Sequence, residues 1–117
     1  LVAAFEPRSL SAARRMFHDA YRDAFAVADR LLLAPVFYAQ RLPADERLDV
    51  SRLAAELGAG GTPTAVTASI EALREQLLAE ITAGDVVACM SSGSFEDLPR
   101  RLLQALRQRE AAARPQT

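Results

Sequence analysis

At 117 residues, half of them hydrophobic and a quarter charged, the chain has the size and make-up of one soluble globular domain with a modest core. A net charge of −1, with no basic stripe, excludes a field that would gather nucleic acid or an acidic membrane surface. All 14 basic residues are Arg, so a Lys nucleophile, a Schiff base and a phosphate-loop Lys are excluded.

Residues 1–5 (Leu-Val-Ala-Ala-Phe) read as a buried strand, ended by Pro7, which cannot donate to a ladder. The chain opens on this strand with no Met and no leading turn, so a fragment of something longer is expected. Ser9 or Ser11 can cap a helix running to about residue 28, with Ala13, Met16, Phe17, Ala20, Tyr21, Ala24 and Phe25 on one face. The only His, His18, lies in this helix and reads as a surface or boundary residue. Residues 31–34 form a second strand, closed by Pro35, and residues 36–47, with Phe37, Tyr38 and Pro43, read as a surface loop.

Asp49 caps a short helix over 50–57, with Val50, Leu53, Ala54 and Leu57 inward and glycines behind it. Gly58-Ala-Gly-Gly-Thr62 follows a helix and lacks a Lys, so it fails as a phosphate loop. Residues 64–67 form a third strand, and Ser69 caps a helix over 70–82 with Ile70, Leu73, Leu77 and Ile81 inward. Residues 86–90 are an apolar run after the turn-like Ala83-Gly84-Asp85, a pattern that suits a strand buried on both faces. Cys89 in that run is expected to be a reduced core thiol; alone, it gives no internal disulfide and no Cys-based metal site, and a cytoplasmic location fits. No apolar run is long enough to span a membrane. The final helix places Asp97 as N-cap, Pro99 in the first turn and Leu98, Leu102, Leu103 and Leu106 on its apolar face. From residue 107 the sequence turns polar and Ala-rich and is expected to fray. One domain over residues 1–110 with a polar tail over 111–117 follows.

Strands and helices therefore alternate, which predicts an α/β fold: a three-layer sandwich with a mainly parallel sheet and right-handed crossovers. With strand order 3-2-1-4, winding reverses between the first and fourth strands and a crevice opens at their carboxyl ends. Arg8, the hydroxyls of Ser9, Ser91, Ser92 and Ser94, the backbone at Gly93, the start of the last helix and Phe95 would converge there. An Arg with backbone amides suits a carboxylate or phosphate, and Glu6, Glu96 and Asp97 could hold an ammonium group. No nucleophile–base pair is evident, and adjacent Glu96 and Asp97 diverge, so no catalytic residue is assigned.

These two loops resemble a known family. Phe5-Glu-Pro-Arg-Ser9 before a helix, Met90-Ser-Ser-Gly-Ser-Phe95 after an Ala-Gly-Asp turn, Ala28-Asp-Arg30 with Leu31-Leu-Leu-Ala-Pro-Val36, and Leu42-Pro-Ala-Asp-Glu-Arg-Leu-Asp49 are similar to the carboxy-terminal domain of Mur ligases. Within that family the likeness points to the murein peptide ligases, over residues 2–106. It implies a Rossmann-like domain that closes over a central ATP-binding domain and presents an amine that attacks an acyl phosphate. Arg8 and Ser9 would face the nucleotide and acyl-phosphate side, while Ser91, Ser92, Gly93 and Phe95 would cradle the incoming peptide's carboxylate. The parent enzyme would use ATP and Mg2+, held mainly by a domain absent here, so that this chain alone requires no cofactor and is not expected to be active. Its partners would be UDP-N-acetylmuramate and the tripeptide L-alanyl-γ-D-glutamyl-meso-diaminopimelate. Three departures stand out. Ser92 replaces the family's Asn, Ser94 replaces a Gly, and Glu96-Asp97 replace two further glycines. Leu10-Ser11 stands where Asn-Thr is common, and the Asp-x-x-His-His-Pro segment and the phosphate loop do not occur in the sequence.

A stand-alone Rossmann-like binding or regulatory module without catalysis is the alternative. A signalling receiver would need an acceptor Asp at a central strand end and an opposing Lys, and neither is present. If no helix precedes the first strand, an uncovered sheet face would favour self-association.

Overall fold

The computed structural model describes residues 1–36 and 39–113; Phe37 and Tyr38 of the expected loop and residues 114–117 of the expected tail lie outside the described residues. Apolar alternation and capping residues place four strands among them: β1 (Val2–Glu6), β2 (Arg30–Leu33), β3 (Thr64–Val66) and β4 (Val87–Ser91). They form one all-parallel sheet in the order β3-β2-β1-β4, as expected. The helices are α1 (His18–Phe25), α2 (Val50–Ala59), α3 (Ile70–Glu80) and α4 (Leu98–Ala113). This is an α/β, Rossmann-like sandwich.

Period-two alternation along the strands divides the core. Ala4, Leu32, Val87 and Cys89 pack with Leu73, Leu77, Leu98 and Leu102 of α3 and α4. Ala3, Leu31, Leu33 and Met90 pack with Phe25, Leu53 and Leu57 of α1 and α2. Leu31, Leu32 and Leu33 are each completely buried, because β2 lies inside the sheet with helices on both faces. Burial of one such side chain is worth roughly 1.5–3 kcal/mol. Asp49 and Ser69 cap α2 and α3 as expected, accepting from Arg52 N (3.1 Å) and Ala72 N (3.0 Å).

Four expectations need correction. The first helix begins at His18, not near Ser9. Residues 9–14 fold into turns because Ser9 Oγ accepts from Ala12 N (3.0 Å), and Arg14 bridges antiparallel to Arg47. A 3-10 turn at Arg15–Phe17 then rotates the helical face, leaving Met16, Ala20 and Ala24 exposed and burying His18. β4 is an edge strand, half-buried throughout, since it pairs with β1 alone; an apolar run reads the same at an edge as at a centre. Asp97 does not act as an ordinary N-cap residue, for its φ is +60° and its carboxylate pairs with Arg100. Finally, α4 continues through Ala113, past the residue 107 boundary: the Ala and Arg residues there are good helix formers, and Arg109 donates to Leu78 O of α3.

Candidate ligand site at the strand order reversal

β1 ends at Glu6 and β4 at Ser91, and these two residues are register partners. The winding reverses between these strands, so their carboxyl ends open onto a crevice rather than onto a crossover. Ser91 Oγ donates to Glu6 Oε1 at 2.7 Å, and Gly93 N donates to Ser91 Oγ at 3.1 Å. Glu6 is 3% exposed. Its burial is tolerable because the carboxylate is hydrogen-bonded. Fully buried Pro7 ends the strand, and Arg8 then turns its half-buried side chain across Gly93. A Cβ built on Gly93 would stand 3.1 Å from Arg8 Cγ and 3.2 Å from Arg8 Nε, so close approach, not backbone conformation, favours glycine here.

A cleft of about 510 Å3 opens beside this assembly. Glu6 at the end of β1 and Arg8 just after it line the cleft, with Pro35 and Val36 from the segment after β2, Ser69 and Ile70 from the start of α3, and Glu96 from the loop after β4. The Arg8 guanidinium, the exposed Glu96 carboxylate and the positive end of the α3 dipole thus meet over an apolar floor beside buried Glu6, an arrangement for a small molecule carrying both signs of charge. A second cavity of about 540 Å3 lies at the opposite end of the sheet, around Ile81, Val87 and Leu106 with Asp85, Arg109 and Glu110 at its edge; it sits away from the carboxyl ends of the strands, where the order reverses.

The site residues expected from sequence fall into three groups. Arg8, Ser91 and Gly93 come together in direct contact. Ser9 is adjacent, but its hydroxyl is engaged in the turn at Ala12, and Ser92 stands exposed on the loop. Phe95 is 2% exposed and packs among the α3 and α4 side chains, so its ring anchors the loop from below. Phe95, Glu96 and Asp97 have φ of +56°, +48° and +60°, three successive left-handed residues, none of them glycine.

Sequence reasoning missed the polar joint between α1 and α2. His18 Nε2 meets Glu56 Oε2 at 2.8 Å, Arg22 Nη1 donates to Glu56 Oε1 at 3.0 Å, and Arg52 Nε lies 3.0 Å from Glu56 Oε2. Arg22 foremost, then His18 and Arg52, hold the Glu56 carboxyl below its ordinary range. The signal was present in the four-residue spacing of His18 to Arg22 and Arg52 to Glu56, which puts each pair on one helical face. Burial pushes the free Cys89 thiol and the Tyr21 phenol upward. Among the described residues no group of three or more His, Cys, Asp and Glu side chains is placed to hold a metal ion. No helix there is long and apolar enough to cross a membrane.

Fold and crevice together define the class: a Rossmann-like domain with a mixed-charge cleft at the reversal of strand order. The chain is similar to UDP-N-acetylmuramate–L-alanine ligases, which are Mur ligases. That of a Polaromonas species is 33% identical over 104 residues, 89% of this chain and 22% of the relative. That of Verminephrobacter eiseniae is 32% identical over 117 residues, 100% of this chain and 24% of the relative. That of an Acidovorax species is 32% identical over 114 residues, 97% of this chain and 24% of the relative. The chain spans about a quarter of the length of these relatives. No protein-family model matches it, and no solved structure does.

Proposed function

We propose that the chain is the carboxy-terminal domain of a Mur ligase, an ATP-dependent amide ligase acting on UDP-N-acetylmuramate in the cytoplasm, and that it holds the incoming amine component. The observation that carries this is the joined set Glu6, Arg8, Ser91 and Gly93 at the β1–β4 crevice, in a chain similar to such ligases from end to end. Arg8, expected from the family resemblance to face the acyl-phosphate side, lines the cleft beside Gly93 and is assigned here to the ligand's carboxylate in a charge-assisted pair. Ser9 lies toward the acyl-phosphate side, Ser91 and Ser92 offer hydroxyls, and Phe95 fixes the loop that carries them. Domain closure over the ATP site excludes water from the acyl phosphate. On this reading the parent enzyme uses ATP and Mg2+, and this chain, which has no phosphate loop with Lys, meets the nucleotide only from one side. Those groups belong to other parts of the parent enzyme.

Two amine components are in play. The printed activity of the relatives favours L-alanine. The cleft of about 510 Å3 lies within the ~300–1,000 Å3 typical of sites for larger ligands, which favours a peptide such as L-alanyl-γ-D-glutamyl-meso-diaminopimelate, and with it a part in cell-wall recycling. NMR shift mapping with each compound, on this chain and on Arg8→Ala, decides. Shifts on residues 6–9 and 91–96 with the tripeptide, lost in Arg8→Ala, support the peptide ligase. The same pattern with L-alanine alone supports the amino-acid ligase. Shifts with neither, in this chain and in the full-length parent with ATP, overturn the assignment.

A further inference from the structure

We propose that Glu6 is a positioning residue for ligand recognition, setting the place of the Arg8 guanidinium through Ser91 and Gly93. This rests on the proposed function, since it takes Arg8 as the group that meets the ligand.

Glu6 has features that make it unsuited to direct binding and suited to holding a loop. It is 3% exposed, so little of it faces a ligand. Its Oε1 accepts from Ser91 Oγ at 2.7 Å, which orients that hydroxyl so that a lone pair receives Gly93 N–H at 3.1 Å. The chain of donors runs one way, from Gly93 to Ser91 to Glu6. Each link fixes the next, and in a partly buried site such linked hydrogen bonds reinforce one another. Gly93 is where the chain acts on Arg8: the side chain from Cγ to Nε lies so near the glycine that a Cβ there would push it aside by a few tenths of an ångström. The height of the loop therefore sets the direction of the guanidinium. The end of β1 supplies the anchor, Glu6, and the segment just after it the group being aimed, Arg8, two residues apart, while β4 and its loop supply the support between them.

The test uses two readouts on the intact chain: the Arg8 Nε–H resonance without ligand, and the affinity for L-alanyl-γ-D-glutamyl-meso-diaminopimelate and for L-alanine. Gly93→Ala falls on an exposed residue with only a flexible side chain to displace, so its thermal midpoint is expected to stay put. Its Arg8 Nε–H resonance moves, and affinity falls about tenfold, the worth of one charge-assisted hydrogen bond. Ser91→Ala moves the same resonance, and Glu6→Gln, whose amide oxygen can still accept from Ser91, binds more tightly than Glu6→Ala. In an Arg8→Ala background, adding Gly93→Ala or Ser91→Ala costs no further affinity. Unchanged Arg8 resonances in Ser91→Ala and Gly93→Ala, or losses that add fully to that of Arg8→Ala, overturn the positioning role and leave the proposed function standing. Absence of binding both in the unmodified chain and in the full-length parent with ATP overturns the proposed function, and this inference with it.

Discussion

The two helical layers on the sheet are held by different means. The α3/α4 layer is joined by apolar packing: Ile70, Leu73, Leu77, Leu98 and Leu102 are all buried, with ion pairs only around the rim. The α1/α2 layer has a smaller aliphatic seam, Leu53 and Leu57 under Phe25, and adds two things the other lacks. One is a chain of rings, in which Phe5 lies 5.1 Å from both Tyr21 and Phe25 and Tyr21 lies 6.1 Å from Phe25. The other is the joint at Glu56, which gathers His18, Arg22 and Arg52. Trimming one aliphatic side chain leaves a cavity that its neighbours fill only in part; removing a carboxylate with three partners leaves those partners unpaired.

Cutting the aliphatic layer gives the largest effect. Leu73→Ala, at a fully buried site, is expected to lower stability by about 2–5 kcal/mol in urea unfolding. Glu56→Ala should cost less than Leu73→Ala, yet more than Glu75→Ala on the surface of α3, because it leaves buried His18 without its partner. An equal cost for Glu56→Ala and Glu75→Ala would show that the joint contributes nothing.

Acid brings the two layers onto one scale. Arg74 foremost, then Arg101, hold the Glu71 carboxyl down to about 2, and Arg30 lowers that of Glu80. Groups with depressed values stabilise the fold fully above their ordinary value of 4.5 and lose that contribution as pH falls through the depressed one. Stability is therefore expected to decline from about pH 4.5 toward 2, and Glu71→Gln should flatten the lower part of that decline. A decline of unchanged slope in Glu71→Gln would place the sensitivity in the α1/α2 joint instead. The smallest effect has the opposite sign. Glu96→Gly relieves one left-handed residue between the layers and should raise stability by about 0.5–1 kcal/mol, read as a higher thermal midpoint.

What was legible in the sequence follows the same division. Of the α3/α4 layer, α3 could be read directly, since Ser69 and the spacing of Ile70, Leu73, Leu77 and Ile81 are local signals that tertiary structure did not override, whereas on α4 Leu98 and Leu102 are buried as expected and Leu103 is exposed. The strand order and the meeting of Arg8, Ser91 and Gly93 also followed, because alternation and the crossover rule act over the whole chain. The start of α1 did not. It depends on the bridge between Arg14 and Arg47 and on Leu48 N donating to Ala13 O at 2.8 Å, contacts between segments far apart in sequence. The burial of Phe95 was hidden for a similar reason: three left-handed residues turn its ring inward, and no local propensity of Phe, Glu or Asp announces such a run.

The position of β1 inside the sheet has a kinetic consequence. β1 must find β2 across a short stretch and β4 across a long one, for Glu6 and Ser91 are 85 residues apart. Closing the longer loop costs more chain entropy and is slower, so the β1–β4 seam is expected to zip last and to open first. The ligand crevice lies along that seam. Amide exchange in β4 should thus be faster than in β1 or β2, and a ligand of the kind proposed above should slow it by clasping the last seam to close.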